Sequence, residues 1–202
     1  MVVFNTSHPF YGKNLYKYSK MSLSYHIALP VEDFPRFQTD RISFKIYSCQ
    51  LHLKNLKDFQ SKYNDPLSSD VRTSIEIEIE SFISQMIGTV DSLLFKINTK
   101  FRLSIPADSI EIDKVQSALS SETKSFDLLN DLYEANREGS WYWIIRQLRN
   151  YSLDNSLISK DAFELLANYT KTNTKLIPYF EQSLNHLEKL IENIRIKEPL
   201  LQ

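Results

Sequence analysis

The sequence predicts an all-α protein, on three observations. Glycine occurs only three times in 202 residues, which removes the Asn-Gly and Asp-Gly turns on which tight β-hairpins depend. Apolar residues recur at steps of three and four through three long segments, the spacing of one helical face. The one stretch with strand-like alternation, "SIEIEIES" at 74–81, continues into a helical stripe that explains both halves of its segment.

The first helix is predicted from about Phe37 to Tyr63, where Ile42, Ile46, Cys49, Leu53 and Leu56 form the stripe. "NDPLSSD", with Asp65 before Pro66, breaks it. The second helix is expected from about Asp70 to Lys100, on Ile75, Ile79, Phe82, Met86, Val90, Leu93 and Ile97. Gly88 inside it costs about 1 kcal/mol relative to alanine and marks a close helix contact. "FRLSIPADSIEID" at 101–113 reads as a linker with room for a short extended piece. Helical patterns resume at Asp113–Leu119 and at about Glu122–Asn136, and "REGS" interrupts them.

Trp141, Ile144, Ile145 and Leu148 then give the apolar side of a short helix with Arg149 and Asn150 in its last turn. The segment from Ser159 is helical over Phe163–Leu166 and looser afterwards. The last helix carries Ile177, Phe180, Leu184, Leu187, Ile191 and Ile194, with Pro178 tolerated in its first turn. Together these segments predict an up-down bundle with two long antiparallel helices, a single domain over residues 34–202. Residues 1–33, aromatic and polar with Tyr11, Tyr16, Tyr18 and Tyr25, are expected to form an arm over it.

Composition narrows the function classes. Lys plus Arg, 24, nearly balances Asp plus Glu, 25, so any recognition of phosphate must be local rather than a property of the whole chain. A single cysteine, Cys49, excludes an internal disulfide framework and fits a reducing, cytoplasmic setting. The longest compact apolar run, Trp141–Ile145, is far short of the roughly 20 residues that span a bilayer. The three glycines are isolated and no GK[ST] occurs, which rules out a P-loop. There is no HExxH and no repeated Glu-x-x-His, so no metal site is expected. His52 and His186 read as residues on helix flanks, and Cys49, on the apolar stripe, as an inert packing thiol.

One polar constellation remains: Arg146, Arg149, Asn150 and Asp154, with Asp91 and Asn98 from the second helix. Asp91 and Asn98 are seven residues apart, hence on nearly one side of that helix beside its apolar stripe, placed to face the short helix. Two arginines in a last turn can satisfy terminal carbonyls and the helix dipole without further function. Alternatively, Arg149 offers its forked donors to a phosphate while Asn150 orients nearby groups.

"WIIRQLRNYSLD", on a short helix late in an all-helical chain, resembles the region of HEPN domains (higher eukaryotes and prokaryotes nucleotide-binding) that carries their Arg-x(4–6)-His motif, and "SFISQMIGTVDSLLFKIN" looks like the matching long helix. The resemblance covers roughly residues 36 to 196, and its specific part is Arg149 and Asn150. It implies RNA cleavage without metal or other cofactor, at a composite site between two protomers, with toxin–antitoxin or phage-defence systems as a setting. The motif histidine would fall at residue 154, 155 or 156, which are Asp154, Asn155 and Ser156. A histidine titrating near pH 6.5 can both take and give a proton at neutral pH. An aspartate with an ordinary pKa near 3.9 is a poor acid there and repels phosphate, and an Arg149–Asp154 ion pair is the simpler expectation.

The sequence reading is therefore a degenerate HEPN-like module that binds RNA or a protein partner without efficient catalysis. Its alternatives are a structural or dimerisation protein with no nucleic-acid role, and a ribonuclease using Arg149 with Asp154 or a histidine from elsewhere, such as His52. A homodimer is expected from the resemblance and from Trp141, Tyr142 and Trp143, whose aromatic surface exceeds what one apolar helix face readily buries.

Overall fold

The computed structural model describes residues 40–62, 69–120, 126–154, 157–171 and 174–198, apart from the side chains of Phe126, Asp127, Leu129, Asp154 and Phe163. The chain divides into two units, residues 1–40 and 41–202. The predicted arm, 1–33, lies outside the described residues, as does the predicted first-helix start at 37–39.

Among the described residues the structure is helical, with no strand. Seven α-helices follow in order: α1 Arg41–Lys62, α2 Ser69–Phe101, α3 Ile112–Ser120, α4 Phe126–Asn136, α5 Trp141–Asp154, α6 Ile158–Thr170 and α7 Leu176–Lys197, with one 3-10 turn at Ala107–Ser109. The three long apolar stripes appear as α1, α2 and α7 within a few residues of their predicted ends. The linker after α2, read as having room for a short extended piece, holds the 3-10 turn, with Ile110 after it in extended backbone. Arg149 and Asn150 are not in a last turn, since α5 continues to Asp154. The segment thought loose after Leu166 is continuous helix to Thr170.

Helix α2 is the centre of the 41–202 unit, packing on α1, α3, α5, α6 and α7. It runs antiparallel to α1: Lys45 lies against Gly88, and further along α1 His52 meets Glu78. Phe82 and Phe180, both fully buried, stack with ring centroids 4.3 Å apart and join α2 to α7. Cys49 is fully buried beside this seam.

The alternating stretch has a physical explanation that inverts its hydropathy. Ile79 is buried, but Ile77 is 52% exposed, whereas Glu76 and Glu78 are buried. Glu76 accepts the backbone N–H groups of Ile158 at 2.6 Å and Ser159 at 3.0 Å. These belong to the first turn of α6, whose preceding residue Leu157 offers no side-chain cap, so α2 supplies the acceptors that α6 lacks locally. Glu78 faces the other way, to His52 Nδ1 at 2.6 Å and the donating amide of Asn55 at 3.2 Å, both on α1. A period of two at these positions is two buried carboxylates serving two neighbouring helices.

The ends of α2 and α6 are closed without glycine. Arg102 and Ser104 after α2, and Lys171 after α6, have φ of 52°, 58° and 57°. The left-handed region costs a non-glycine residue about 1 kcal/mol or more. At the end of α2 the turn is held from both sides: Leu103 N–H donates to the Asn98 carbonyl at 3.1 Å, and the Asn98 side chain bridges both backbone groups of Ile105 at 2.8 and 3.2 Å. "REGS" is a turn in which Gly139 takes φ 79°.

A surface cluster of three cations around Asp91

Tyr142, Arg146 and Arg149 are spaced four and three, one stripe along α5, and that stripe faces α2 at Asp91. Asp91 is open to solvent on one side. On the other, enclosure by protein pushes its carboxyl up from the ordinary value, opposed by the charges of Lys45, Arg149 and Arg146 in that order. Tyr142 is buried, and burial followed by the Asp91 carboxylate raises its phenol strongly, while Arg146 opposes.

The third cation comes from α1. Lys45 Nζ lies 2.5 Å from where a Cβ on Gly88 would stand, so the missing side chain is what lets the ammonium cross the outer face of α2 towards Asp91. The close contact expected at Gly88 is thus between a glycine and a lysine side chain. Arg146 is exposed and donates to Asn136 Oδ1 at 3.2 Å; Asn136 in turn donates to Asp113 at 2.8 Å, tying the cluster's edge to α4 and α3. Arg149 is half-buried and Asn150 exposed, and neither has a hydrogen bond or ion pair to a side chain among the described residues.

The structure therefore brings together Asp91, Arg146 and Arg149 from the sequence reading and adds Lys45 and Tyr142, which that reading missed. It removes Asn98, whose amide is spent on the turn after α2. Asp154 ends α5, and its side chain lies outside the described residues. The signal for Lys45 was the unexplained Gly88 within a long helix.

Three cations and one carboxylate leave an excess of two positive charges on a chain whose net charge is −1. Such a cluster can hold an anion with guanidinium forks and an ammonium. It has no described group suited to shuttling a proton at neutral pH. His52 is bonded to Glu78, which lies 13 residues from Asp91, about 20 Å along α2 at 1.5 Å per residue. Burial pushes the Cys49 thiol up to about 12, which keeps it from acting as a thiolate nucleophile.

The aromatic argument for a dimer is corrected. Tyr142 is buried within the chain, Trp143 packs edge-on against Tyr169 at 5.6 Å, and Trp141 and Trp143 both lie against the core. The exposed large apolar residues lie elsewhere, among them Ile77 and Phe95 on α2 and Leu153 on α5. No helix among the described residues is long and apolar enough to cross a membrane.

The chain matches no family model, no curated protein and no solved structure. Fold and site define an all-helical protein in which three cations, Lys45, Arg146 and Arg149, lie around the Asp91 carboxylate.

Proposed function

We propose that this chain is a degenerate HEPN-like helical module that binds RNA through its phosphates, at Lys45, Arg146 and Arg149, without efficient cleavage. The observation that carries the reading is that Lys45, seated against Gly88 about one turn of α2 before Asp91, and Arg146 and Arg149 on one stripe of α5 all lie within electrostatic reach of that carboxylate. The Asp91 carboxylate, within electrostatic reach of all three cations, competes with the incoming phosphate. Cleavage by the ribose 2′-hydroxyl needs a group that takes and gives a proton near neutral pH, and Asp154 at the motif position is a poor substitute for histidine.

The test is fluorescence anisotropy with a single-stranded RNA over a salt series. Arg146→Ala combined with Arg149→Ala should weaken binding about tenfold or more and flatten the log–log salt dependence by about 1.4, at roughly 0.7 per lost single-strand phosphate contact. Asp91→Asn should tighten binding several-fold by removing the competing charge. Unchanged binding in the double variant would overturn the assignment.

A homodimer is the second reading, favoured by the outer face of α2. Ile77 and Phe95 are 52% and 51% exposed, and 18 residues is five turns at 3.6 residues per turn, so they share one side. Leu153, 70% exposed, adds apolar surface on α5. Light scattering should give twice the 23.7 kDa chain mass, and Phe95→Lys should return the protein to monomer. A wild-type monomer throughout the micromolar range defeats this reading and leaves the RNA test standing.

A further inference from the structure

We propose that the apolar cleft where α1 nears its end and α6 and α7 begin binds the alkyl chain of a medium-chain fatty acid, with the carboxylate at Lys175. The cleft has a volume of about 250 Å³, below the usual range of drug-sized sites, so it suits one slender chain and excludes a fused-ring system. Leu56 of α1, Ile79 of α2 and Ala162 of α6, all buried, form its floor. Phe59, Ile75 and Ile177, from α1, α2 and α7, line it while only half-buried. Large apolar side chains of three helices thus keep surface around one cavity that their own neighbours do not cover. An alkyl chain laid among them gains by its own burial and by theirs.

The charge at the mouth selects the headgroup. Lys175 is the one charged side chain among the described lining residues; it is exposed and makes no hydrogen bond or ion pair to a described side chain. Gln60 and Ser159, the other exposed polar groups of the lining, are neutral. The carboxylates beside the lining residues are engaged elsewhere. Glu76, next to Ile75, accepts the backbone N–H groups of Ile158 and Ser159. Asp161, next to Ala162, accepts the Tyr151 hydroxyl, and Glu181, the first acid of α7, pairs with Lys57. The first turn of α7, which Lys175 precedes, holds no acidic residue, so the helix dipole adds to the ammonium and does not oppose it. A monoanion with an apolar tail fits this arrangement. Its tail replaces water against the half-buried side chains, while its carboxylate stays at the wet rim beside Lys175, where little desolvation is required. A cationic amphiphile of the same length meets like charge at the mouth.

This inference is independent of the cation cluster, to which none of these residues belongs. Titration calorimetry of the full chain with octanoate should show one saturable site. Hexanoate should bind about fifteenfold more weakly, at roughly fourfold per methylene, and octylammonium about tenfold more weakly or worse. Lys175→Gln, at an exposed position, should weaken octanoate severalfold and leave octanol unchanged, which separates the headgroup contact from the cleft. Ala162→Leu should fill the floor and weaken octanoate and octanol alike. Ile177→Gln, at a half-buried position, provides a second variant should Ala162→Leu lose its helical signal, and it should also weaken both. Absence of saturable octanoate binding, equal affinity for octylammonium, indifference to chain length, or full octanoate affinity in Lys175→Gln would overturn the proposal.

Discussion

Glu76→Ala is expected to lower the unfolding free energy by about 3–4 kcal/mol, since hydrogen bonds to a charged group contribute about 1.5–3 kcal/mol each and buried donors left unpaired cost about 1–3. Glu76 is 5% exposed and receives two backbone N–H groups at the start of α6. Alanine leaves both without an acceptor, the Ile158 N–H buried and the Ser159 N–H partly so, and Leu157 has no side-chain oxygen to replace the carboxylate. Glutamine keeps one carbonyl acceptor but presents an amide N–H₂ to the second donor, so Glu76→Gln should lose about half as much. Urea unfolding followed by circular dichroism checks both. An Ala variant with the wild-type midpoint would show that α6 does not depend on this cap.

Phe180→Ala should be at least as damaging, at about 3–5 kcal/mol for a fully buried phenylalanine. Its ring stacks on Phe82, and both are enclosed where α7 meets α2. The deletion removes apolar burial and leaves a void that rigid helices on either side close only in part. Phe180→Leu, which keeps most of the volume, should cost clearly less. Equal losses for Ala and Leu would mean that the ring stacking, and not the filled volume, sets the stability of this contact.

The long stripes were legible because each repeats one spacing over five or more positions, so a single misplaced residue does not blur them. The alternating segment was correctly assigned to a helix only through its continuation. That Glu76 and Glu78 turn inward while Ile77 turns outward was not legible, because the partners that satisfy them, on α6 and α1, are far away in sequence. Within the cation cluster, Asp91, Arg146 and Arg149 were foreseeable from their helical positions. Lys45 had only an indirect signal, Gly88, because which side chain of α1 lies against that glycine depends on how the two helices pack. Asn98 misled because a seven-residue interval sets the side of a helix but not whether a side chain is taken up by the turn that follows.

The two inward glutamates also impose a sequence in time. His52 and Asn55 reach Glu78 across 26 and 23 residues, whereas Ile158 reaches Glu76 across 82. Because loop-closure entropy grows logarithmically, the larger loop costs about 1 kcal/mol more to close than the smaller ones. The α1–α2 hairpin therefore has the advantage in forming first, and the amino-terminal turn of α6 gains its cap only once that hairpin presents Glu76 as a ready-made surface. One short segment of α2 thus takes part in both an early and a late event of folding, with its odd-looking alternation dividing the two tasks between adjacent carboxylates.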